Sequence, residues 1–258
     1  MFQSASMSNF PTHTVVLIVV LSVVLAVISW FVLAQGLSQS TISRVSQRSV
    51  LTIAGAIFVI WFVLRLGLAV YTVNGARLST PAVIGLTAIG LFIGLLPLLW
   101  SSFRQAISAI PMTWLIAIHT LRFAGGSNFL TLLDANLLPR NFALPAGYGD
   151  IFVALLSLIV IYVIATNRPN ARGWVTVWLI IGFLDFISAF ATGGTFLEPF
   201  AAQLASSGGP ASVINFVLLI PTFIVPILAS IQFYVIYQLL SSPVRRSSLQ
   251  KVTLSQRL

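Results

Sequence analysis

Apolar side chains recur in long runs along this chain, separated by short stretches that hold most of its charged positions. Runs of roughly 20 residues are what an α-helix needs to cross a hydrocarbon layer about 30 Å thick. The pattern predicts seven such helices: Thr14–Ala34, Val50–Val73, Ala82–Trp100, Ile107–Ala124, Asp150–Thr166, Gly173–Gly193 and Ser212–Leu240. The expected fold class is an all-α membrane protein, a bundle of seven transmembrane helices. Residues 1–240 then form one transmembrane domain, and residues 241–258 a polar, basic tail.

Composition strengthens that reading. Hydrophobic residues make up 58% of the chain and charged residues only 7%, where a soluble domain carries about 25%. The mean hydropathy is +1.04. The first apolar run is preceded by no Lys or Arg and is longer than a signal-peptide core. Although Val32-Leu33-Ala34 has the look of a cleavage site, a retained first helix is expected.

Thirteen Lys and Arg against four acids give a net charge of +9. The basic residues lie beside apolar helices, with no interleaved aromatic stretch to bind nucleic acid, so they act as topology signals. One set of alternating connections carries nine: Arg44, Arg48, Arg104, Arg168, Arg172, Arg245, Arg246, Lys251 and Arg257. The other carries Arg77 and Arg140. The positive-inside rule therefore places the N-terminus outside and the C-terminus in the cytoplasm of a cell (inner or plasma) membrane. Trp30, Trp100, Trp114, Trp174 and Trp178 fall near the ends assigned to the cytoplasmic interface, and Trp61 lies deeper.

Ionisable groups inside a span are costly and face protein or water rather than lipid. Five fall there: Arg65, His119, Arg122, Asp150 and Asp185. Counted along their helices, all five lie in the outer half of the membrane. They are the candidate ligand-binding residues, expected to converge in a polar cluster with Arg122 against Asp150 and Arg65 against Asp185. Each also has a local explanation. Asp150 follows Gly147-Tyr148-Gly149 and fits an N-cap, Arg122 can snorkel to headgroups, and Trp61 offers Arg65 a cation–π contact. Asp185 has none, and Gly182, Ser188 and Thr192 share its face as small packing residues.

Between the fourth and fifth predicted helices, Gly125, Gly126, Pro139, Pro145, Gly147 and Gly149 read as breaks. The intervening FLTLLDANLL is expected to form a short helix at the outer interface, either a surface excursion or a lid over the cluster. The last predicted helix is about 43 Å long and contains Pro221 and Pro226. A kink or unwound turn is expected there.

The inventory excludes several chemistries. With no cysteine there are no disulfides, thiolate metal sites or iron–sulfur clusters. Lys251, the sole lysine, lies in the tail, so no retinal Schiff base forms in the last helix. Two histidines, His13 and His119, are too few for a ceramidase-type zinc site or a di-haem cytochrome. No G-x-S-x-G elbow and no Walker loop occurs. The residues therefore assign no catalytic group, metal or cofactor, and a conventional enzyme is disfavoured.

The pattern R-F-x-G-G…L-P-x-x-F-A-x-x-A-G-x-G-D, from Arg122 to Asp150, resembles that of uncharacterised bacterial multi-pass membrane proteins. It covers about a ninth of the chain and implies a bacterial origin without an activity. Beyond the bilayer itself, two roles fit. One is small-solute or ion binding and transport through the outer cluster. The other is an accessory or assembly subunit, with Gly85, Gly90 and Gly94 permitting close helix approach to partner subunits.

Overall fold

In a computed structural model, the chain is described over residues 12–71, 79–206 and 216–241, and these residues contain helices and no strand. The helices are α1 (Thr12–Gln39), α2 (Arg44–Tyr71), α3 (Thr80–Leu95), α4 (Ser101–Ala109), α5 (Met112–Ile118), α6 (Arg122–Asp134), α7 (Arg140–Ala165), α8 (Ala171–Ser206) and α9 (Val225–Ser241). Among the described residues six helices are long and apolar enough to cross a membrane. The number is seven if the bent pair Ser101–Ala109 and Met112–Asp134 counts as one span. Arg77 and the basic tail lie outside the described residues.

Three predicted boundaries are corrected. The fourth helix does not run straight from Ile107 to Ala124: it is bent by 91° between Ala109 and Met112. Pro111 imposes this, because the residue before a proline is pushed out of the α region, and Ile110 is extended at ψ 130°. Beyond the bend the chain stays helical through the single 3-10 turn His119–Leu121 and on to Asp134. FLTLLDANLL is therefore mainly the end of a buried-faced helix, with Phe129 and Leu132 in the core, and not a separate lid.

The fifth helix starts at Arg140 instead of Asp150, with Pro139 at its N-cap position and Pro145 inside it. Pro145 is the sixth helical residue, close enough to the N-terminus for its missing N–H to cost only one bond. Asp150 is thus an interior residue, and its reading as an N-cap fails. The sixth helix, expected to end at Gly193, continues as far as Ser206. In a lipid setting no water competes for backbone groups, so glycine pairs interrupt a helix less readily than in solution.

The last span is the hub. Of the 18-residue apolar stretch within Ile220–Ser241, 56% is buried, against 17% for the corresponding stretches of α2 and α3. The outer helices instead expose apolar faces, such as Val59, Ile60, Val63 and Leu64 on α2. Gly90 and Gly94, read from sequence as partner contacts, are covered by Pro226 and Ser230 of this same hub, while a Cβ at Gly85 would meet nothing. Tyr234 donates its hydroxyl to the Gly94 carbonyl at the same seam.

The expected irregularity in the hub is a π-turn over Ile220–Ile224. Val225 N–H reaches back five residues to Ile220 O, so the Pro221 carbonyl is released, and Pro226 has no N–H to offer Thr222 O. Both carbonyls are satisfied from outside the helix. Thr87 Oγ donates to Pro221 O at 2.8 Å, and Trp61 Nε1 donates to Thr222 O at 3.1 Å. Trp61→Phe removes one of these clamps. Interhelical hydrogen bonds of this kind contribute about 1 kcal/mol in membranes, so a loss of that size is expected in equilibrium unfolding from bicelles. Ile53→Ala, on an exposed position of α2, serves as the comparison.

Candidate functional site

Three helices meet at Arg122. It is the first residue of α6, while Asp150 and Asp185 lie within α7 and α8. Arg122 Nε donates to Asp150 Oδ1 at 2.6 Å, and its Nη2 donates to Asp185 Oδ2. The guanidinium carbon sits 4.2 Å from the centroid of the Phe186 ring, a cation–π contact from the residue next to Asp185. Arg122 is 2% exposed, so it does not snorkel to the headgroups.

Glycine makes the convergence geometrically possible. At Gly126 an added Cβ would run into the Gly147 carbonyl and lie 2.9 Å from Asp150 Cβ, so α6 and α7 touch backbone to backbone. At Gly149 an added Cβ would occupy the place of the Asp185 carboxylate. The glycines read as helix breaks are thus continuous helix whose missing side chains admit a neighbouring backbone and a charge.

Electrostatics leaves the cluster unbalanced. A fully ionised triad has two carboxylates against one guanidinium, hence one surplus negative charge. Buried ions are tolerated when neutralised and hydrogen-bonded. The remaining capacity opens into space: a cavity of about 80 Å³ is lined by Asp150 and Asp185 together with Thr80, Phe129 and Pro221. A smaller one of about 30 Å³ is lined by Arg122, Gly125, Asp150 and Leu228. The arrangement can hold a small cation or a proton between the acids, with the arginine as a fixed counter-charge.

The other two candidates lie apart from these contacts. Arg65 is buried and does not pair with Asp185; its Nε donates to Thr222 Oγ at 2.9 Å. Trp61, expected as its cation–π partner, meets the same residue through the Thr222 carbonyl. Arg65 therefore belongs to the π-turn, and the cation–π contact forms at Arg122. His119 packs its ring edge-on to Trp178, with centroids 4.9 Å apart, and Trp178 in turn donates to Ser157 Oγ at 2.8 Å. The expectation that all five groups converge is corrected to three.

Several buried polar atoms have no hydrogen-bond partner among the described residues: both ring nitrogens of His119, both side-chain amide atoms of Gln232 and of Asn128, Arg122 Nη1 and Arg65 Nη1. Each such atom costs about 1–3 kcal/mol when left unsatisfied. Gln232 gave no signal in the sequence beyond being an amide within an apolar helix. Thr222, Ser157 and Phe186 gave less still, since hydroxyls and phenylalanines are common in spanning helices.

A family model described as a domain of unknown function (DUF8737) matches residues 78–240, which include Arg122, Asp150 and Asp185 but not Arg65. No curated protein and no solved structure matches the chain.

Proposed function

The chain belongs to the DUF8737 family, and we propose that this member is a multi-pass protein of a bacterial cell (inner or plasma) membrane that binds and moves a small inorganic cation, the proton included. The bound species sits at Asp150 and Asp185, and Arg122 holds the two carboxylates at fixed separation. Seven spans carry the site, the bent pair α4 with α5–α6 forming one of them. The N-terminus lies outside, and the basic tail after residue 240 lies in the cytoplasm, by the distribution of Arg and Lys. Residues 1–240 act as one domain.

The observation that carries this reading is the stoichiometry of the triad. Two acids from separate spans share one arginine beside a cavity that both acids line. A purely structural tie needs one carboxylate per guanidinium; the second one creates a demand for a positive charge. The space beside the two carboxylates, about 80 Å³, has room for a small ion together with water.

Thermal unfolding of the detergent-purified protein tests it. The melting temperature is followed in NaCl, KCl and choline chloride at matched ionic strength, and across pH in choline. A ligand bound to the native state stabilises by mass action, about 2.7 kcal/mol at a hundredfold excess over Kd. A rise with Na⁺, K⁺ or protons that disappears in Asp185→Asn is expected. Identical responses of wild type and Asp185→Asn to every condition would overturn the reading.

A further inference from the structure

We propose that the ligand of the triad is the proton, and that Gln232 and His119 form its path away from the carboxylates along one face of α8. This rests on the cation-binding reading above and narrows it to one species and one route. Trp178, Gly182 and Asp185 lie four and three residues apart, hence on a single face of α8. Each meets a polar side chain from another element. Arg122 donates to Asp185, the Gln232 amide fills the space where a Cβ of Gly182 would lie, and His119 stands edge-on to Trp178. The row extends about 10 Å along the helix axis.

Polar chemistry in this row is unspent. His119, Gln232 and Arg122 are at most 2% exposed, yet both imidazole nitrogens, both amide atoms and Arg122 Nη1 have no partner among the described residues. Buried polar groups bond either to protein or to ordered water, and water is the one partner small enough to serve all of them. A cavity of about 30 Å³ is lined by Arg122, Asp150 and Leu228, and Leu228 lies one helical turn before Gln232. A space of that size holds one or two waters.

These groups suit a proton and oppose a metal ion. Guanidinium and amide N–H groups are donors that repel a metal cation, and the side-chain oxygens named beyond Asp185, Gln232 Oε1 and Ser157 Oγ, are neutral. Among the described residues no group of three His, Cys, Asp or Glu side chains is placed to hold a metal ion. A proton needs only a chain of hydrogen bonds. The carboxylic acid O–H of Asp185 breaks as its proton passes to a water held by Gln232, and that water gives a proton to one nitrogen of His119. His119 releases its other N–H proton to the next water, so the ring returns to neutral and Asp185 is left a carboxylate. Among the described residues, Arg122, Asp150 and Asp185 are the charged groups facing this row. On the other packed elements α1 offers Leu21 and Leu25, α9 offers Leu228 and Gln232, and α7 reaches Trp178 through Ser157.

Proton flux is measured with the full chain in phosphatidylcholine–phosphatidylglycerol vesicles containing a trapped pH-sensitive dye, driven by a valinomycin potassium potential. Wild-type vesicles are expected to change internal pH, and His119→Gln and Gln232→Leu to slow that change at least tenfold. Glutamine at 119 keeps hydrogen-bonding capacity but cannot exchange a proton between two ring nitrogens. A slowed flux with an unaltered melting temperature therefore supports the relay, whereas full flux in both variants overturns it. Vesicles that carry sodium, followed as ²²Na⁺ uptake, but no protons would overturn the relay and leave the cation reading standing. Vesicles that carry neither would overturn both.

Discussion

Arg122→Met is expected to destabilise the protein by about 3–5 kcal/mol, the range found when one partner of a buried ion pair is removed. Methionine nearly matches the arginine stem in shape, so packing against Phe186 survives while the charge does not. Two carboxylates from α7 and α8 are then left facing each other without their shared cation. The triple variant Arg122→Met, Asp150→Asn, Asp185→Asn is expected to regain most of the loss, because neutral amides lift both the repulsion and the desolvation of unpaired charge. Equilibrium unfolding in bicelles reads both values. A single variant as stable as wild type would mean that the acids already carry a proton or ion that makes the arginine dispensable. Exchanging Arg65 with Asp185 is expected to rescue nothing, since Arg65 serves Thr222.

How much of this was legible beforehand differs between spans and site. The apolar runs gave the spans because crossing hydrocarbon demands unbroken length, and Pro221 with Pro226 announced a kink or unwound turn, which takes the form of the π-turn. The ends were misread wherever proline and glycine were taken at their values in water. Gly147, Gly149 and Pro145 lie inside α7, yet Pro111 does break its helix because the residue before it is forced extended. The site was half legible. Position along a helix gives depth, so Arg122, Asp150 and Asp185 could be placed at one level. Which way each side chain points depends on the neighbouring helix, and no single sequence fixes that. Arg65 shows the consequence: the hub helix unwinds beside it and offers Thr222, a closer partner than any acid. Gly90 and Gly94 show the same limit, their small size serving the hub instead of a second chain.

Gly126→Ala is the other substitution with a large expected effect, and it separates backbone fit from charge. The new Cβ meets the Gly147 carbonyl, which is backbone and cannot turn aside, with Asp150 Cβ and Ile151 Cγ1 at 2.9 and 3.0 Å. Overpacking of this kind costs about 1–3 kcal/mol, here by forcing α6 and α7 apart one turn beyond Arg122. Gly149→Ala meets only the Asp185 side chain, which can rotate, so its stability loss is expected to be smaller while the Arg122–Asp185 contact is broken. Gly85→Ala meets no atom and is expected to stabilise by about 0.5–1 kcal/mol through helix propensity alone. Unfolding free energies in that order, with cation or proton response lost in both Gly126→Ala and Gly149→Ala but kept in Gly85→Ala, tie the close crossing to the triad. Equal stability of the Gly126 and Gly85 variants would mean that α6 and α7 do not touch, and the triad could not assemble as described.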